Sequence, residues 1–199
     1  MKTEVTTKAK TVAKKGFTLV ELIVVMGIFL VVTSLTILSQ RSFDNSILID
    51  NLAYEIALAV REAQVYGVST RGFAGDFSSS YGVHFDTNDA NSFTLFGDRE
   101  SFGRYDGEEA YDIELFSLGS SGQITDICGI DNGGDVCSDI TGVDISFIRP
   151  NPEPAFFFYD DSGDVDEDLK YSGAIIELTS PGGRTKSVRV GVTGQIVVE

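Results

Sequence analysis

Phe17 to Leu38 reads FTLVELIVVMGIFLVVTSLTIL, an unbroken apolar run of 22 residues with a single charge, Glu21. At ~1.5 Å per residue, a helix of this length crosses the ~30 Å hydrocarbon core of a bilayer. The run exceeds the ~7–15-residue apolar region of a secretory signal peptide, and SQRSF follows it where a small-residue cleavage site would stand. The preceding residues 1–16 carry five Lys against one Glu and end in Lys14-Lys15-Gly16. Lysines on that side place the N-terminus in the cytoplasm and the remainder outside. The expected organisation is a basic leader over 1–16, a membrane-spanning half-helix over 17–38, and an extracytoplasmic domain over 39–199.

Outward from this run, Arg41 to Tyr66 contains neither Gly nor Pro. Leu48, Leu52, Ile56, Val60 and Ala63 recur every three or four residues, an apolar stripe on an amphipathic helix. Gly67 reads as its stop. One helix over about 17–66 would be roughly 75 Å long. Beyond Gly67 the period falls to two. Strands are expected at 81–85, 92–97, 112–118, 143–148, 155–160, 174–179, 185–192 and 195–198, with a hairpin loop at Ser180-Pro181-Gly182-Gly183. Short connections indicate antiparallel pairing. The fold class is α+β: a long N-terminal helix, its first half transmembrane, laid on an antiparallel β-sheet.

Composition narrows function. The chain of 199 residues is 42% hydrophobic and 23% charged, enough for a buried core. Residues 17–199 carry ten basic against twenty-nine acidic groups, a net charge of −19. Such a body repels nucleic acid and anionic headgroups. One His and two Cys exclude a His/Cys zinc site and a c-type haem motif. Glu21 is the anomaly: at a helix centre an intramembrane carboxylate costs on the order of 2.5–3.5 kcal/mol, so it is a functional candidate unless it lies at headgroup depth.

Lys14-Lys15-Gly16-Phe17-Thr18-Leu19-Val20-Glu21, followed by the apolar run, resembles the signal of type IV prepilins and type II secretion pseudopilins. The resemblance implies that a prepilin peptidase cuts between Gly16 and Phe17 on the cytoplasmic side and methylates the new Phe17 amine. A neighbouring subunit's Glu21 can then pair with that amine, neutralising two charges that hydrocarbon disfavours singly. Leu52-Ala53-Tyr54-Glu55, Arg61-Glu62-Ala63, Gly67-Val68, Tyr81-Gly82-Val83-His84-Phe85 and the Val190–Val197 segment are similar to the GspH/FimT-type minor pseudopilins. The implied function is that of a minor subunit of a type II secretion pseudopilus or type IV pilus, acting by assembly and not as an enzyme. The implied partners are other pilin subunits, the peptidase, an inner-membrane platform and an assembly ATPase. The implied location is the cytoplasmic membrane, and the filament once assembled. Some pilins of this group take up DNA through basic residues near the C-terminus. That makes Arg184, Lys186 and Arg189 the competing functional reading, against the acidic background.

Four other features carry chemistry. Cys128 and Cys137, with eight residues between them, lie on the oxidising side, so a disulfide is expected, with two reduced thiols as the alternative. Asp98, Glu100, Asp106 and Glu109 fall at positions 1, 3, 9 and 12 of an EF-hand-like loop with Gly103 at position 6. Calcium is the cofactor this loop would take. Phe102 stands where an oxygen ligand belongs, and an acidic solvated turn is the competing reading. Asp160 to Asp168 is a second acidic run, read as an exposed loop. His84 alternates with Val83 and Phe85, so it is expected to face solvent, without a nucleophile beside it.

Overall fold

The computed structural model describes the chain from residue 16 onward, except residues 70–71, 73–74, 76–78, 100–102, 108–111, 132 and 166–170; residues 38–45 are described in their backbone only. A helix, α1 (Leu19–Val68), is followed by β1 (Ser80–Asp86), β2 (Ser92–Asp98), β3 (Asp112–Ser117), β4 (Gln123–Asp131) and β5 (Gly134–Val136). Then come β6 (Gly142–Phe147), β7 (Pro154–Tyr159), β8 (Gly173–Thr179), β9 (Thr185–Gly191) and β10 (Ile196–Val198). The chain divides into two units, one ending at Arg41 and one spanning Ser42–Glu199.

In the first unit, Leu19–Ile37 is long and apolar enough to cross a membrane, and none of it is buried within the protein. Its hydroxyls are satisfied locally: Thr33, Ser34 and Thr36 donate to the carbonyls of Phe29, Leu30 and Val32 at 2.7, 2.8 and 3.0 Å. No described hydroxyl of Thr33, Ser34 or Thr36 therefore has to seek water, which hydrocarbon lacks.

The second unit contains every buried core residue among those described. One face of α1 is buried there, through Ile49, Leu52, Ala53, Ile56, Ala59, Val60 and Ala63. The stripe thus begins at Ile49, not at Leu48, which is 39% exposed. Three alanines on this face bring the helix backbone close to the strands, and full burial of each larger side chain stabilises by about 1.5–3 kcal/mol. The strands form two five-stranded antiparallel sheets, ordered β3-β2-β1-β6-β7 and β10-β9-β8-β4-β5, where sequence suggested one. Val83, Phe85, Leu95 and Ile145 from the first sheet and Ile127, Ile176, Leu178 and Val190 from the second meet the helix in one core. The expected β8–β9 hairpin is present: Thr179 pairs with Thr185, and Ser180 N–H donates to Arg184 O.

The helix runs to Val68, slightly past the expected end, and Gly67 is not its left-handed cap. A Cβ at Gly67 would lie 2.5 Å from Phe147 Cβ and 2.7 Å from Phe147 O, so glycine is needed there for close approach to β6. Arg149, just after β6, caps the helix instead. Its guanidinium donates to Gly67 O at 3.0 Å and Tyr66 O at 3.3 Å, placing a cation at the negative end of the dipole.

Candidate functional site

The leader junction comes first. Residues 16–18 are non-helical, and Phe17 is 83% exposed. Nothing lies within 4 Å of a Cβ built on Gly16. Among the described residues, nothing therefore stands against a side chain at Gly16 or covers the junction. Thr18 begins the helix: its Oγ1 accepts Glu21 N–H at 3.2 Å, and its carbonyl accepts Leu22 N–H at 3.2 Å. Thr18-x-x-Glu21 has capping-box spacing, so the only acid of the apolar run occupies the helix's first turn, where the dipole favours an anion. An amine created at Phe17 would stand one residue before that cap.

The other expected residues fall in the second unit. Cys128 in β4 and Cys137 just after β5 form a disulfide that closes the β4–β5 hairpin. Cys128 is buried against the core. Asp126 lies near both sulfurs, but sulfurs joined to each other offer no thiolate to a metal. Of the calcium loop, Glu100 and Glu109 lie outside the described residues. Asp98 Oδ2 accepts the Gly103 N–H at 2.7 Å and the Ser80 hydroxyl at 3.4 Å. Gly103 has φ +72°, the left-handed turn that position 6 of the loop anticipated. In the acidic run, Asp160 Oδ1 accepts the N–H groups of Ser162 and Asp164 at 2.8 and 3.2 Å, a local turn; residues 166–168 lie outside the described residues.

Each member of the basic cluster has a partner within the domain. Arg184 donates to Ser46 Oγ at 3.2 Å, and Lys186 pairs with Asp50 at 3.3 Å. Arg189 makes a forked pair with Asp135 at 3.2 and 3.0 Å, which raises its pKa above the ordinary arginine value. Acids of this chain thus already neutralise Lys186 and Arg189, two of the three charges a phosphate would need.

His84 is the correction. Its side chain is only 19% exposed, because residues 103–107 cross over the outer face of the first sheet. His84 Nδ1 donates to Asp144 Oδ1 at 2.6 Å, and Asp144 is fully buried. The other carboxylate oxygen accepts Tyr105 N–H at 2.8 Å and the Tyr159 hydroxyl. Tyr105 stacks on His84 with ring centroids 4.5 Å apart. Ser146 donates to Gly103 O, fixing the start of the same segment. Burial pushes the Tyr105 phenol up to about 12, aided by Asp112, and pushes Tyr159 higher still, aided by the Asp144 charge. These contacts fasten the 103–107 segment to the sheet, and no described serine, threonine or cysteine is bonded to His84. The available signal was an acid, Asp144, in the apolar strand Val143-Asp-Ile-Ser-Phe147, directly across from His84.

The model of the prokaryotic N-terminal methylation motif matches residues 12–37. Those residues, which include Gly16, Phe17 and Glu21, carry a type IV pilin-like prepilin signal. Such a signal implies processing by a prepilin peptidase and assembly with other pilins. No curated protein and no solved structure matches the chain.

Proposed function

We propose that this chain, which opens on a prepilin signal, is a minor subunit of the GspH/FimT type in a type II secretion pseudopilus or type IV pilus. It acts by assembly and not by catalysis. The observation that carries this reading is the exposed apolar helix Leu19–Ile37 placed directly behind an accessible Gly16–Phe17 junction. Cleavage removes five lysines and leaves an amine just before the helix cap and a carboxylate in the helix's first turn. In the membrane the mature subunit stands with its N-terminus inside and Ser42–Glu199 outside. In the filament the amine of Phe17 faces the Glu21 carboxylate of a neighbour. A membrane platform and an ATPase drive the insertion. The paired basic residues Lys186 and Arg189 favour this reading over DNA uptake.

Filament incorporation tests it. The full chain is produced in a host assembling a pseudopilus or pilus, and sheared filaments are probed for it. The wild type should be present. Glu21→Ala should be cleaved and stay in the membrane but be absent from filaments. Equal incorporation of both proteins would refute the assembly role of Glu21. Absence of the wild type from every such filament would refute the reading.

A further inference from the structure

The two sheets have four edges, and they are protected unequally. At β7, Tyr159 forms a bridge with Val165. At the other end of the second sheet, β5 is stapled to β4 by the disulfide. The outer edges of β3 and β10 have no strand beside them among the described residues.

At β10, Glu199 exchanges both backbone hydrogen bonds with Ser187, and Val197 pairs with Arg189. The alternation of antiparallel pairs therefore turns the N–H and C=O groups of Ile196 and Val198 away from β9. They face a groove of about 640 Å³ whose opposite wall is the unburied side of α1, including Tyr54, Leu58 and Arg61. Tyr54 and Leu58 are 60% and 68% exposed. Arg61 is the only charged side chain among the described residues lining the groove, and it donates to Gln64. An unpaired strand edge beside an apolar wall is a seat for one more strand.

We propose that this seat takes β3 of a second copy of the chain. β3 has no strand on its outer edge among the described residues and carries Leu115 at 63% exposure, a counterpart for Tyr54 and Leu58. It also carries the exposed Glu114, acidic where the groove's single charge is basic. The contact joins two different surfaces, so a β3 and a β10 edge remain free at the ends of every pair. Such a heterologous contact sets copies head to tail, β3 of one on β10 of the next, instead of forming a two-fold dimer. Its use in a filament rests on the assembly reading above; the contact itself does not.

Crosslinking tests it in the Ser42–Glu199 domain, which contains the whole described core and so folds without the membrane segment. Leu58→Cys and Leu115→Cys domains of distinguishable mass are oxidised singly and mixed. The mixed species should exceed either self-crosslink by roughly tenfold, because only opposite edges pair. Val198→Pro removes an outward N–H without touching the bonds to β9. Placed in the Leu58→Cys partner it should abolish the crosslink; placed in the Leu115→Cys partner it should leave it intact. Should the proline unfold the domain, exposed Arg61→Glu makes the same asymmetric test. A statistical mixture of crosslinks, no crosslink, or an equal effect in both partners would overturn the proposal. None of these results bears on cleavage at Gly16 or on the Glu21 dependence of incorporation.

Discussion

Replacing Asp144 by Ala withdraws one carboxylate from three donors at once: His84 Nδ1, Tyr105 N–H and the Tyr159 hydroxyl. The three losses are unequal. His84 reaches water through its exposed part, and the Tyr159 hydroxyl has Tyr105 O within 3.4 Å as a substitute. The Tyr105 N–H, on a half-buried residue, loses its carboxylate acceptor. A buried donor left unpaired costs about 1–3 kcal/mol, and a hydrogen bond to a charged group contributes about 1.5–3 kcal/mol. With two of the three donors partly rescued, about 3 kcal/mol is expected. At about 2–4 °C per kcal/mol for a domain of this size, the melting temperature should fall by about 6–12 °C. Urea unfolding of Ser42–Glu199 with its disulfide intact measures the loss. Tyr159→Phe alone should cost about 1 kcal/mol. The double variant should cost less than the sum by at least ~0.5 kcal/mol, because both changes break one network. Hydrogen exchange at the Tyr105 amide should quicken in Asp144→Ala. If Asp144→Ala stays within about 0.5 kcal/mol of wild type, or the two changes add, the carboxylate does not hold the 103–107 segment.

Three further outcomes are expected. Gly67→Ala puts a methyl group 2.7 Å from the Phe147 carbonyl, which cannot yield without moving β6, so stability should drop by about 1–3 kcal/mol in the same unfolding assay. Reduction of Cys128–Cys137 should cost somewhat under ~3 kcal/mol, the loop-closure value for so short a span, and thiol labelling of protein purified without reductant should find no reactive cysteine. The Ser42–Glu199 domain should show no salt-dependent DNA binding in a titration at low ionic strength. Affinity that falls with salt and disappears in Arg184→Ala would restore the uptake reading.

The sequence disclosed the elements whose signals are local. The apolar run from Phe17 and the three- and four-residue spacing after Leu48 located α1 nearly to its ends. Alternation located eight of the ten strands. β4 was missed because Asp126, Cys128 and Gly129 break its apolar alternation, and its place beside β8 depends on pairing across about fifty residues. Without β4, the strands could not be divided into two sheets. The same limit hid Arg149 as a cap for a helix that ends 81 residues earlier, and Asp144 as the partner of His84. Alternation correctly placed His84 on the outer face of its strand, but it could not show that residues 103–107 return to cover that face. The leader junction was legible because its chemistry is written in consecutive residues.

The central claim is that this chain is processed and then assembled through its N-terminal helix, and the mass of the mature protein tests its first step most directly. The full chain is expressed with and without an active prepilin peptidase, and intact mass is measured on membrane extracts. With the peptidase, the protein should lack residues 1–16, begin at Phe17 and carry one additional methyl group. Gly16→Val should keep its leader while remaining in the membrane. A chain that retains residues 1–16 in the presence of the active peptidase, or is cut at another bond, would contradict the account.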